Sequence, residues 1–101
     1  MLIAITTDKD NESSPVSQVF GRCGFFAIFD TEAEKLEFVK NPGSDAARGA
    51  GILAGQLLID KEVKKVYTGN IGPNAKRVLD SGKIEVELVA DKSVEEIIKV
   101  S

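Results

Sequence analysis

The only cysteine of the chain, Cys23, lies in the stretch FGRCGFF, next to Arg22 and between Gly21 and Gly24. A free thiol has a pKa near 8.5 and is about 3% thiolate at neutral pH; a cation that lowered that pKa by roughly 1.5 would bring the fraction to about half. Thiolate is the form that binds iron or copper. Adjacent residues of an extended segment point to opposite faces, so the alternative is a buried, inert cysteine that Arg22 never reaches. A cubane takes about four cysteines. A cluster here is therefore held largely by other means, or two or more chains of a homo-oligomer each lend a sulfur.

Two glycine-rich loops precede helical patterns. DAARGAG, 45–51, brings Arg48, Gly49 and Gly51 to a helix start, where unpaired amides and the positive dipole end favour an anion. TGNIGPNA, 68–75, brings Gly69, Asn70, Gly72 and Asn74 to the carboxyl end of a strand, the place where open α/β sheets bind ligands. Neither loop is a Walker or dinucleotide motif, and both also read as tight turns. Asn70 and Asn74 either donate to a ligand or satisfy loop carbonyls and cap a helix. Asp8, Asp10, Glu12, Asp30 and Asp45 raise a further alternative, a two-metal phosphoryl-transfer site. Against it, Asp8 and Asp10 sit in a solvated turn and Asp30 caps a hairpin. The chain has no histidine, which rules out Ser-His-Asp and Cys-His catalysis and histidine metal sites within one chain.

The elements that must position these residues follow from hydrophobic period. LIAIT, 2–6, is an apolar run expected as a central strand buried on both faces. FFAIFD, 25–30, and LEFV, 36–39, joined by TEAEK, predict an antiparallel hairpin, which NPGSD at 41–45 ends. Residues 47–61 read as a helix with Ile52, Leu53 and Leu57 along its inward flank and Ile59 nearby. A strand at 64–69 precedes a helix with Pro73 in its first turn, Ala75, Val78 and Leu79 inward, and Gly82 at its stop. The alternating strand IEVELV, 84–89, leads to a short helix opened by a capping box of Ser93 and Glu96. Three leading strands followed by alternating helix and strand imply a mixed sheet covered on both faces, a three-layer α/β/α sandwich.

At 101 residues one domain spanning 1–101 is expected. The net charge of -3, with basic residues scattered, argues against a nucleic-acid partner. No run approaches the ~20 apolar residues of a membrane span and no signal peptide is evident, so a cytoplasmic address is expected.

Taken together, VSQVFGRCGFFAIFD, NPGSDAARGAGILAGQLLIDKEV and VYTGNIGPNAKRVLDSGKIEV resemble the dinitrogenase iron-molybdenum cofactor biosynthesis family, which includes the NifX and NifY accessory proteins and the carboxyl-terminal domain of NifB. The likeness runs from Ile3 to about Val89, and TGNIGPNA is its most distinctive part. It implies a ribonuclease H-like fold with a mixed five-stranded sheet. It also implies a non-catalytic accessory protein that binds or carries an iron-sulfur or iron-molybdenum-type cluster or its precursor, not tightly held on isolation, in exchange with cofactor-assembly proteins. Where many relatives carry a histidine before the glycine-rich helix start, this chain has Arg48, which does not coordinate iron but pairs with an anion. Cys23 is then the one soft metal ligand available, with Arg22, Arg48 and the amides of 49–51 and 69–74 around the cluster. The competing expectation is a metal-free module for a small anion such as a nucleotide or organic acid.

Overall fold

LIAIT becomes the middle of the sheet. In the computed structural model, which describes all of residues 1–101, it forms β1 (Leu2–Thr7), flanked by β2 (Phe25–Asp30) antiparallel and β4 (Lys65–Thr68) parallel. β3 (Lys35–Lys40) completes the hairpin outside β2, and β5 (Glu85–Leu88) runs parallel outside β4. The order is β3-β2-β1-β4-β5, a mixed five-stranded sheet. In the hairpin turn Asp30 accepts hydrogen bonds from the amides of Glu32 (2.9 Å) and Ala33 (3.2 Å). These donors stabilise its ionised form and hold its carboxyl below the usual range.

Side chains alternate across the pleat, and each face finds its own helical cover. Ala4, Phe26, Ile28 and Val66 pack with Ala54 and Leu58 of α1 (Ala50–Asp60) and Ala75 and Leu79 of α2 (Pro73–Ser81). Ile3, Ile5, Ala27, Phe29 and Tyr67 pack with Val94 and Ile97 of α3 (Val94–Lys99). Each fully buried Ile, Leu or Phe contributes about 1.5–3 kcal/mol before ordering entropy is subtracted. Two such cores make the layers α, β and α.

α1 departs from the expected orientation. Ile52 and Leu53 are 48% and 44% exposed, while the buried residues are Ala50, Ala54, Gly55 and Leu58. Small residues win the inward face because α2 crosses α1 closely: a Cβ on Gly51 would stand 2.9 Å from the Ala75 Cβ, and one on Gly55 2.8 Å from a Val78 methyl. The helix also starts at Ala50 rather than Ala47, since Gly49 takes a left-handed φ of 71°.

Both α1 and α2 end in the same hydrogen-bonded hook, in which the residue after the cap turns left-handed. In α2 that residue is Lys83 (φ 57°), with its amide on Asp80 O and the Ile84 amide on Leu79 O. A lysine there bears a strain that glycine avoids. Lys83→Gly is expected to raise stability by up to about 1 kcal/mol, and an unchanged or lower urea midpoint would show that the lysine is not strained.

Candidate functional site

The registers bring several loops to one end of the sheet. Thr7 stands opposite Phe25, Phe25 opposite Lys40, and Thr68 beside Leu88. Residues 8–24, 41–49, 69–72 and 89–93 therefore all leave the same edge. Buried hydroxyls tie them underneath: Thr6 Oγ1 donates to Ser17 O (3.2 Å) and pairs with the Thr68 hydroxyl (2.9 Å), and Thr7 Oγ1 donates to Pro15 O (3.0 Å) and pairs with the Ser14 hydroxyl (2.6 Å). The Gly69 amide donates to Ser17 O (2.9 Å), and a Cβ on Gly69 would lie 2.7 Å from the Gln18 Cα. Gly69 is thus needed for loop packing, and Gly51 for the α1–α2 contact.

Between loops 19–22 and 70–72 lies an open hollow of about 220 Å³, lined by Val19, Phe20, Gly21, Arg22, Asn70, Ile71 and Gly72. Of the sequence candidates it gathers Arg22, Asn70 and Gly72. Arg48 and Gly49 lie outside the lining, at the start of α1, and Asn74 lies in the first turn of α2. The asparagines serve locally: Asn70 Oδ1 accepts from the Ile71 amide (2.9 Å) and Asn74 Oδ1 from Arg77 Nη1 (2.9 Å). Arg22 donates through Nη1 to Ala46 O (2.8 Å). Arg48 is exposed and makes no side-chain hydrogen bond or ion pair in the chain.

The helix starts differ in a telling way. α3 has a complete capping box, with Ser93 Oγ accepting from the Glu96 amide and Glu96 Oε1 from the Ser93 amide. α1 and α2 have no side-chain cap and no acidic residue in the first turn. Their first turns touch at Gly51 and Ala75, so two positive dipole ends stand side by side, with no side chain of the protein accepting from their first amides. Gly49 and Gly72 open this corner, since a Cβ on either would meet nothing within 4 Å.

Cys23 does not join this corner as a ligand. Its side chain is fully buried with Ala4, Phe20 and Phe26, and Sγ donates to Phe20 O at 3.3 Å. Burial pushes the thiol up to about 12, against an opposing hydrogen bond from Asn41. Of the two readings of Cys23, this placement agrees with the buried core thiol, because the Arg22 guanidinium goes to Ala46 and the sulfur goes inward. The carboxylates are not gathered either. Asp30 closes the opposite end of the sheet from Asp8, Asp45 pairs with Lys40, and no three His, Cys, Asp or Glu side chains come together.

Sequence reasoning missed Asn41, read only as part of a strand-ending turn. It is 1% exposed, and its side chain links Gly21, Cys23 and Gly43. A signal was present: an asparagine between an apolar strand and Pro-Gly, at the sheet end that also holds FGRCG.

The donor set fits an anion better than a coordinated metal, offering amides and guanidinium groups but no accessible thiolate, imidazole or carboxylate cluster. Three likenesses accord with the geometry. An uncharacterized protein of Methanocaldococcus jannaschii is 31% identical over 103 residues, covering 99% of this chain and 84% of that one. The apo form of the orange protein from Desulfovibrio gigas superposes with a TM-score of 0.91 at 28% identity, over 97% of this chain and 83% of that one. The NMR structure of a Thermotoga protein named as a NifB candidate gives a TM-score of 0.84 at 31% identity, over 98% and 84% of the two chains. The model of the family described as dinitrogenase iron-molybdenum cofactor matches residues 1–100, and the chain belongs to that family.

Proposed function

We propose that the protein is a non-catalytic carrier of an anionic metal-sulfur cofactor, of iron-sulfur or iron-molybdenum type, or of its precursor, passed between cofactor-assembly proteins. The observation that carries this reading is the pair of uncapped helix starts in contact at Gly51 and Ala75, beside Arg22 and Arg48. A cluster surfaced with sulfide is a hydrogen-bond acceptor over its whole exterior, and amides and guanidinium groups would hold it through that exterior. Cys23 is not needed as an anchor. We also carry forward the ribonuclease H-like reading of the sheet order as a proposal about fold kinship.

The alternative, a metal-free module for a nucleotide or organic acid, draws on the same donors. The hollow weighs against the nucleotide: about 220 Å³ falls below the roughly 300–1,000 Å³ of pockets that enclose small organic ligands. A compact inorganic anion resting half in solvent suits it better.

Anaerobic incubation with iron and sulfide, or with isolated iron-molybdenum cofactor, followed by gel filtration and metal analysis, tests the reading. Wild type and Cys23→Ala are both expected to elute with metal and visible absorption. Arg48→Glu reverses an unpaired charge at the helix start and is expected to weaken uptake by about tenfold or more. A colourless wild type, or uptake abolished by Cys23→Ala in a folded variant, would overturn it.

A further inference from the structure

Asn41 lies behind the corner, at the foot of loop 41–49. Both hydrogens of its amide are used: Nδ2 donates to Gly21 O (3.0 Å) and to Cys23 O (2.9 Å), with Cys23 Sγ as a longer, shared acceptor at 3.5 Å. Its Oδ1 accepts from the Gly43 amide (2.9 Å). The surroundings fix which way round the amide stands, because two carbonyls require the nitrogen and an N–H requires the oxygen. The backbone of Asn41 adds three bonds, its amide donating to Gly24 O (3.0 Å) and its carbonyl accepting from Ser44 N (3.1 Å) and Ser44 Oγ (2.9 Å).

One residue thus joins two segments about twenty positions apart. Gly21 and Arg22 form a wall of the hollow, and residues 43–46 lead to Arg48, Gly49 and the start of α1. The Arg22 bond to Ala46 O is a second tie between the same segments. Neither tie lies within a regular element, and the carbonyls of Gly21 and Cys23 are also out of reach of the sheet ladder. Without the amide, the buried carbonyl of Cys23 and the half-buried carbonyl of Gly21 lose their donor and the segments are free to part.

We propose that Asn41 is the positioning residue of this site, locking the loop that bears Arg22 to the loop that bears Arg48 so that both cations meet an anion already in place. Its functional half rests on the carrier reading above. Preorganised charges bind more tightly because less ordering is left for the moment of binding.

The test has two arms, run on Asn41→Asp and Asn41→Ser, with Ile97→Ala as a control that loosens the other core. Aspartate keeps the acceptor for Gly43 but loses both donors; serine is the gentler second variant. In the first arm Cys23, enclosed under the two loops, reports their opening through its rate of alkylation in native buffer. Both Asn41 variants are expected to label about tenfold faster or more than their global stability explains, and Ile97→Ala only as fast as its own global stability dictates. In the second arm uptake of the iron and sulfide mixture is expected to weaken by about tenfold in Asn41→Asp and to hold in Ile97→Ala. Labelling that merely tracks global stability would overturn the lock. Faster labelling with undiminished uptake would overturn the link to binding. If wild type takes up no metal, the carrier reading falls and the lock is decided by labelling alone.

Discussion

Gly43→Ala is expected to cost about 3 kcal/mol or more of folding stability. A Cβ at Gly43 would stand 2.5 Å from Ala50 O and 2.5 Å from Gly21 O, caught between two backbone carbonyls. Neither is the end of a flexible side chain. Relief would require the first turn of α1 and the FGRC segment to move apart, which also disturbs the bonds of Asn41. Gly72→Ala, whose Cβ would meet nothing within 4 Å, serves as the matched comparison and is expected to change stability by less than about 0.5 kcal/mol. Urea midpoints for the two variants that shift alike would refute this packing.

A second large effect belongs to alkaline solution. Burial pushes the Cys23 thiol from its ordinary range, about 8.5 to 9, up to about 12. Between these values the folded protein keeps a proton that the unfolded chain gives up. Stability from this group is therefore whole below about pH 9 and drains as pH rises through the window, by up to about 4 kcal/mol in total. The measurement is the difference between wild type and Cys23→Ala as a function of pH, in which contributions common to both proteins cancel. The gap between the two is expected to shift steadily against wild type above pH 9; parallel curves would mean that the sulfur is solvated.

Local patterns carried much of the fold. The buried run of β1, the β2–β3 hairpin, the Asp30 turn and the Ser93–Glu96 box are all short-range chemistry, and each stands as its residues imply. α1 misleads because period alone does not say whether large or small residues face inward. Ala50, Gly51, Ala54 and Gly55 take the inner side because a second helix comes close, and only the assembled sheet brings it there. The same limit hid the roles of Cys23 and Asn41. Arg22 adjoins Cys23 in the chain, yet the bonds that settle both residues run to Ala46 and Asn41, some twenty positions away. Asn-Pro-Gly announces a turn truthfully and says nothing of the carbonyls across from it. Of the site, the glycine-opened helix starts were legible; their mutual contact was not.

That contact bears on how the protein answers to ionic strength. Exposed pairs such as Lys40 with Asp45 and Lys76 with Asp80 weaken as dissolved ions screen them. Where two like poles are pressed together, screening does the opposite and relieves a repulsion. Chloride or sulfate gathering over Gly49 and Gly72 would quieten that corner while loosening pairs elsewhere, so the protein without cargo leans on its electrolyte at the very spot where cargo would replace it.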